Sequence, residues 1–596
     1  MLLLPPRRLF LRPLRRSPGA APRRGSAGPG PGPGPGRERP RLVSTPIFYV
    51  NGPPHIGHLY SALLADALHR HRSLRRPGSS RLSTGTDEHG LKVQQAAAEA
   101  GEAPSALCAR VSGQFRAALA QAAVSFSDFI RTSEPRHSRA VLHFWEALRA
   151  GGWLYKGHYE GWYCTASECF VPEAQVAQSP DAQGCAHKVS KESGHQVHWT
   201  KEENYMFKLS EFRQPLQKWL HGDKNAISPE PFYHSVLQWL EDDLLDLSVS
   251  RDRSRLQWGI PVPDDSTQTI YVWLDALVNY LTVLGYPDAH NAWWPAVHHI
   301  VGKDILKFHA IYWPALLMAV GLDPPERIYV HSHWTVHGQK MSKSLGNVVD
   351  PLACFRQYTI DGFRYFLLRQ GVPERDCDYY DKKVIKIVNS ELADALGGLL
   401  NRCTAPSINP SGIYPPFSES YFPRSSDQVG AEALGRALRE DYELVTSVTL
   451  LPLKVTNYFE NFQIYKALES ITACVRQTNG FFQRHTPWKL CQKNPAEKCW
   501  LNTILHVTLE CLRVYGTLLQ PVIPATADKL LSRLAIAPEE RSLRDLTFLP
   551  RYHGKPCPFE GRGLGPDTGV LFQKLEKLRC QVETKRSQTS KNSSCE

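Results

Sequence analysis

Two histidines in His55-Ile56-Gly57-His58 and two lysines in Lys340-Met341-Ser342-Lys343-Ser344 are the side chains of this sequence best suited to handling phosphate. Imidazole N–H groups donate to phosphate oxygens. A lysine-rich loop with Gly338 and Gly346 as hinges can close over phosphates and supply charge as a transition state forms. The two motifs lie about 280 residues apart. In this order they suit the joining of an acid to the α-phosphate of ATP, which needs donors around a crowded phosphorus and a mobile cation for the leaving pyrophosphate. No G-x-x-x-x-G-K-[ST] stretch occurs, which disfavours a Walker-type ATPase. Each motif alone also has a plainer reading: the histidines equally suit a helix cap, and the lysines a solvated basic loop.

The flanking residues say what must position the histidines. Ile47 to Val50 is a short apolar and aromatic run, read as a buried strand. Asn51-Gly52-Pro53-Pro54 breaks it as a turn, and Ile56, Leu59, Leu63 and Ala67 then recur at helical spacing. Strand, tight turn and helix put the histidines at a helix N-terminus, where unpaired N–H groups and the dipole attract phosphate. Gly57 lets a flat base or ribose lie close to the backbone. Leu82 to Thr86 reads as a second strand ending at Asp87. Open parallel sheets bind ligands at the carboxyl ends of their strands.

With these motifs the chain resembles the class I aminoacyl-tRNA synthetases, and among them the methionyl-tRNA synthetases. The resemblance runs from about Val43 to Phe548. Further blocks carry it: Thr86-Asp87-Glu88-His89-Gly90, Glu203-Asn204-Tyr205-Met206-Phe207, Tyr271-Val272-Trp273-Leu274-Asp275-Ala276 and Gly302-Lys303-Asp304-Ile305. It implies that His55, His58, Lys340 and Lys343 serve catalysis, and that these with Gly57, Gly302, Asp304 and Ile305 hold ATP, which brings Mg²⁺. It implies a methionine pocket of Ile47, Tyr49, Trp273, Ala276, Tyr280 and His309, with Asp87 on the α-amino group. A thioether suits an apolar aromatic pocket, and an ammonium needs a carboxylate. On spacing alone, Trp273 and Tyr280 share a helix face and read as core packing. The resemblance also implies a helical bundle that reads the anticodon of tRNA(Met) through Arg402 and Trp488. Single-stranded bases are held by aromatic stacking and arginine. Many relatives have asparagine where this chain has Gly398.

The implied fold is α/β: a Rossmann-type parallel-sheet catalytic domain with an inserted connective lobe, followed by an α-helical anticodon-binding bundle. The expected boundaries are a leader over 1–43, a first Rossmann half over 44–152 and the lobe over 153–263. The second half with the lysine loop follows over 264–385, the bundle over 386–558 and a tail over 559–596. Within the bundle, Val455, Tyr458, Phe459, Phe462, Tyr465 and Leu468 mark an amphipathic helix. Leu505 to Leu519 marks another, ended by Pro521 and Pro524, and Phe572 to Val582 is a short helix candidate. No appended domain is evident, and a monomer is expected.

Composition bounds the rest. The 596 residues are 42% hydrophobic, and no run reaches the ~18 apolar residues of a membrane helix. The net charge of +12 is concentrated: residues 1–43 hold ten arginines, no lysine and one acid, Glu38, leaving about +3 for the rest. Such a leader reads as a mitochondrial transit peptide, which places the mature chain in the matrix; a basic arm for nucleic acid is the alternative. The fourteen cysteines read as reduced thiols. Cys164, Cys169, Cys185 and His187 fall where many methionyl-tRNA synthetases carry a zinc knuckle. Ser167 replaces one ligand and the remaining spacing is poor for tetrahedral zinc, so a lobe without metal is expected. Two other enzyme readings are weaker. Synthetases for valine, isoleucine or leucine need a large editing insertion, for which the gap from His58 to Lys340 has no room, and a cysteinyl enzyme needs a thiolate-selecting metal site that is not found. A catalytically inactive RNA-binding relative is disfavoured because both motifs and Asp87 are intact.

Overall fold

β1 (Arg41–Tyr49) and β2 (Ser80–Asp87) are buried along most of their length, as strands covered on both faces must be. A computed structural model describes residues 40–164, 169–171, 173–180, 186–191, 196–341, 346–423, 438–544 and 546–576. Lys343, Cys185 and residues 1–39 of the expected leader lie outside the described residues, and of Cys169 only the backbone is described. β1 begins at Arg41, so the last residues assigned to the leader already belong to the sheet, and Val43 is fully buried.

Six parallel strands form the central sheet, in the order β3 (Asp128–Arg131), β2, β1, Val297–Gly302, Arg327–His331 and Ile227–Ser228. β1 is central, with its sequence neighbour β2 on one side and Val297–Gly302 on the other, so connections leave it in both directions. Such a switch point opens a crevice at the carboxyl edge. α1 (Ile56–Arg75) follows β1, α2 (Leu91–Ala100) and α3 (Pro104–Gln121) follow β2, and α4 (Pro135–Ala150) follows β3. Gly90, at φ 105°, turns the chain from the end of β2 into α2, a conformation open to glycine at no steric cost.

β4 (Leu154–Cys164) opens the connective lobe, an antiparallel sheet in which it pairs with His198–Phe207 along ten positions. The lobe is not wholly separate from the catalytic sheet. Ile227–Ser228, within the expected insertion, forms the outermost strand beside Arg327–His331, with Ile227 buried.

The helical part comprises the continuous run 381–404, then Arg439–Glu460, Ile464–Arg484, Pro495–Leu519 and Pro524–Arg533. The helix expected to run through Phe462 is instead a helical hairpin. Phe462 sits in the turn at φ 58°, and Asn461 folds back to donate to the Asn457 carbonyl at 2.9 Å. Phe462 keeps the helical spacing of buried residues because it stacks on Tyr329 of the catalytic sheet, centroids 4.7 Å apart. Phe572 to Glu576 is not helical; the remainder of that expected helix lies outside the described residues. This last stretch is tied to the bundle by two hydrogen bonds between Asn389 and the Leu575 backbone, at 2.8 and 3.0 Å. No helix among the described residues is long and apolar enough to cross a membrane.

Candidate active site at the carboxyl edge of the sheet

α1 begins with a reciprocal cap made by the two histidines. The Gly57 N–H donates to His55 Nδ1 at 3.0 Å, and the His55 N–H donates to His58 Nδ1 at 3.2 Å. Both Nδ1 atoms therefore accept, which puts the ring proton of each neutral imidazole on Nε2. The rings stack with centroids 3.7 Å apart. Capping and phosphate donation are thus compatible: one nitrogen of each ring orients it, and the other carries the N–H. The space a Cβ would take at Gly57 is occupied, with His55 Cε1 2.8 Å and the Met341 methyl 3.8 Å from it. Met341 is buried in the same core cluster as Ile56, so the two motifs that are about 280 residues apart in sequence meet in space.

Lys340 is exposed, and its ammonium lies 3.5 Å from Asp304 Oδ2. His333 Nε2 lies 3.2 Å from the other oxygen of the same carboxylate. Crowding by protein raises the Asp304 pKa, but these partners outweigh it and hold the group ionised well below the usual range. Gly302, Asp304 and Ile305 form the end of one strand and the short helical turn after it, beside the start of the lysine loop.

Alternation along β1 separates two sets of aromatic contacts. Phe48 packs on His58 and Phe115, while Tyr49 meets the edge of Trp273 at 6.3 Å; Ile47 shares the Tyr49 face by the two-residue period. Trp273, Ala276 and Tyr280 lie on the helix Val272–Thr282, and Trp273 stacks on Phe308 at 3.6 Å. His309 Nδ1 faces the Ile305 carbonyl at 2.9 Å, which can only accept. Nε2 is then the acceptor for the Tyr280 hydroxyl at 2.7 Å. Burial pushes His309 down to about 4, and His299, 4.1 Å from the Tyr280 ring, well below the ordinary value. This aromatic cluster is thus uncharged at neutral pH, an environment that suits a thioether. Asp87 is buried at the end of β2, level with Tyr49 in the strand register.

Sequence reasoning passed over four groups here. Phe308 and His299 line the aromatic wall, and His333 holds Asp304. Asp275, though quoted within a motif, had no role; it is buried and accepts from His89 and His137. The neighbouring motif residues were the available signal for Phe308, His89 and Asp275. For the zinc expectation, Cys164 is buried and paired in register with Cys169, and His187 lies on the separate hairpin Val176–Pro180 with Ala186–Ser190. Among the described residues no group of three or more His, Cys, Asp or Glu is placed to hold a metal ion.

In the helical part, Arg402 donates from Nε to the Gly398 carbonyl at 3.1 Å, pairs with Asn479 and lies 5.5 Å from the Phe482 ring. Trp488 is 46% exposed, its ring 6.4 Å from that of the same Phe482. An arginine and an exposed indole thus share one aromatic platform. A Cβ at Gly398 would meet only the Ala393 carbonyl at 3.8 Å, so the missing side chain leaves ordinary space.

A family model described as tRNA synthetases class I (M) matches residues 41–404, and one described as the anticodon binding domain of methionyl tRNA ligase matches 433–549. The mitochondrial methionine–tRNA ligase of Bos taurus is 65% identical over 557 residues, 93% of this chain and 94% of that protein. That of Homo sapiens is 66% identical over 539 residues, 90% of this chain and 91% of that protein. Among solved structures, Mycobacterium tuberculosis methionyl-tRNA synthetase in complex with methionyl-adenylate superposes with a TM-score of 0.81 at 35% identity, covering 90% of this chain and 100% of that one.

Proposed function

Because the chain belongs to the methionyl-tRNA synthetases of class I, we propose that it ligates methionine to tRNA at the carboxyl edge of its parallel sheet. A methionine carboxylate oxygen bonds to the α-phosphorus of ATP while the bond to pyrophosphate breaks, giving methionyl-adenylate. The terminal adenosine of tRNA(Met) then takes the methionyl group through a ribose hydroxyl, and AMP leaves. The observation that carries this reading is the meeting of Met341 with Gly57, which brings the residue at the start of the lysine loop to the helix start that the two histidines cap.

No side chain becomes covalently attached, so catalysis is positioning and charge stabilisation. His55 and His58 donate to the phosphates. Lys343, and to a lesser degree Lys340, neutralise the departing pyrophosphate, with ATP entering as its Mg²⁺ complex. Gly302, Asp304 and Ile305 take the adenosine, Asp304 exchanging its contact with Lys340 for the ribose hydroxyls. Asp87 takes the α-ammonium, and Ile47, Tyr49, Trp273, Ala276, Tyr280 and His309 take the side chain. Arg402 and Trp488 receive the anticodon loop. The arginine-rich leader and the mitochondrial relatives support work in the mitochondrial matrix, and one chain carries both substrate sites, as a monomer needs.

Pyrophosphate exchange into ATP, measured with each amino acid in turn, tests the reaction. Exchange with methionine and its loss in Asp87→Ala are expected; exchange driven by another amino acid would overturn the assignment. A fusion of residues 1–43 to a reporter should enter mitochondria, and retention in the cytosol would overturn the localisation.

A further inference from the structure

One buried carboxylate ties together three segments that are distant in sequence, and two of them carry opposite ends of the methionine site. Asp275 is 1% exposed. Its Oδ2 accepts from His89 Nδ1 at 2.6 Å and its Oδ1 from His137 Nε2 at 2.7 Å. His89 is two residues beyond Asp87, in the loop that leaves β2. Asp275 belongs to the helix Val272–Thr282, which presents Trp273, Ala276 and Tyr280. His137 stands on α4, and its other ring nitrogen lies 3.0 Å from the hydroxyl of Thr282, seven residues further along the same helix as Asp275. The loop is braced from its other side: Trp258 donates from its indole to the Glu88 carbonyl, and the Gly90 N–H donates to the Trp258 carbonyl.

We propose that Asp275, with His89 and His137, is the positioning device that fixes the distance between the ammonium-binding Asp87 and the side-chain pocket, and so selects methionine by length. This rests on the function proposed above. An amino acid held at both ends is measured by the spacing of the two holds. In this fold that spacing is not set by sheet hydrogen bonds, because the pocket helix is no part of the sheet. It is set by the contact between the β2 loop and the helix, where the Asp275–His89 pair is the shortest polar link. The pair is placed for permanence. Burial alone would raise the Asp275 pKa, yet the two histidines bring it down to about 2, and the same carboxylate favours the charged form of His89. A buried carboxylate that loses one such partner is left uncompensated, so the loop and helix must shift to restore it.

The test is pyrophosphate exchange with the full-length protein, titrating methionine and ATP separately. Ethionine, one methylene longer, serves as the competing amino acid. His89→Ala should raise KM for methionine at least tenfold and leave KM for ATP within twofold. It should also cut the preference for methionine over ethionine at least fivefold. His89→Asn, whose amide N–H replaces the Nδ1–H, should restore both to within threefold of wild type. Asp275→Asn keeps the shape and serves if His89→Ala does not fold; its methionine KM should rise at least threefold, again without ATP. Equal rises in the two KM values, unchanged preference over ethionine, or His89→Asn behaving like His89→Ala would overturn the device. Wild-type protein without methionine-dependent exchange would overturn the proposed function and this inference with it; active wild type with unaltered variants overturns only the inference.

Discussion

Replacing Gly57 by alanine separates the two roles of the capping histidines. A Cβ at Gly57 would lie 2.8 Å from His55 Cε1 and 3.0 Å from His55 Nδ1, so the ring must swing away. The hydrogen bond from the Gly57 N–H is then lost, and with it the ring's stack on His58. Loss of an N-cap bond costs ~0.5–2 kcal/mol. Alanine in place of glycine within a helix regains ~0.5–1 kcal/mol. Stability should therefore change by no more than about 1.5 kcal/mol in urea unfolding. The Met341 methyl, 3.8 Å from the new atom, is in ordinary contact and need not move. Activity should respond very differently. A donor aimed at developing charge is worth ~2.7–4 kcal/mol, so a displaced His55 should slow pyrophosphate exchange by roughly 10²–10³-fold. KM for methionine should hold within about threefold, because the residues proposed to take its side chain meet the other face of β1. Exchange within threefold of wild type would refute the claim that the cap orients a phosphate donor. A large loss of stability would instead show that the cap serves folding.

Three further outcomes are expected. Trp488→Ala should raise the tRNA KM by roughly ten- to a hundredfold in aminoacylation and leave exchange within twofold, since the indole is exposed and its ring contact is Phe482 of the bundle; impaired exchange would make it a core residue. Arg364→Met should cost ~1–3 kcal/mol in urea unfolding, because it takes a 2.6 Å partner from the fully buried Asp66, which keeps Arg70 and Ser125, and removes its donors to the Ala122, Pro521 and Val522 carbonyls; a loss below ~0.5 kcal/mol would contradict this. Asp275 has a folded pKa of about 2, below its unfolded value near 4, so its contribution is present above pH 4 and lost as the pH falls toward 2. Asp275→Asn should accordingly flatten the decline of the urea midpoint across that window, and an unchanged acid limb would refute it.

The parts legible in the sequence are those with a local signal. Ile47 to Val50, the Asn51-Gly52-Pro53-Pro54 break and the helical period from Ile56 write out strand, turn and helix, and the structure has β1 and α1 there. Trp273 and Tyr280 at seven-residue spacing do share a helix. Periodicity failed where a turn imitates it. Phe462 falls in phase with Phe459 and Tyr465, yet its contact is Tyr329, more than a hundred residues away, and no helical spacing reports that. Ile227–Ser228 is too short to carry any pattern, and its place is set by the neighbouring strand. The Asp275 links span 186 and 138 residues, and buried polar partners have no periodic signature at all. What a sequence hides here is pairing across the fold, which is also where the positioning of the site is decided.

α1 shows how far such pairing organises the molecule. Its first turn holds His55 and His58, at the phosphate end of the proposed reaction. Its middle holds Asp66, whose partner Arg364 also donates to the Pro521 and Val522 carbonyls, at 3.0 and 2.8 Å, where the helix Pro495–Leu519 gives way to the next. Its last turns hold His71, stacked on Phe459 at 4.3 Å, and Arg72 and Arg75, paired with Glu460 at 3.2 and 3.0 Å. One helix therefore carries the proposed phosphate donors at its start and clamps the helical bundle along the rest of its length. A buried ion pair and a stacked ring do not slide, because each has one arrangement in which its polar groups are satisfied. On the proposed roles, the distance from Trp488 to the phosphate end of α1 is thus set by the protein before tRNA arrives. In that reading the tRNA brings its acceptor end to a fixed point, and the proposed recognition at the bundle contributes to where the terminal adenosine is held rather than to how the adenylate is made.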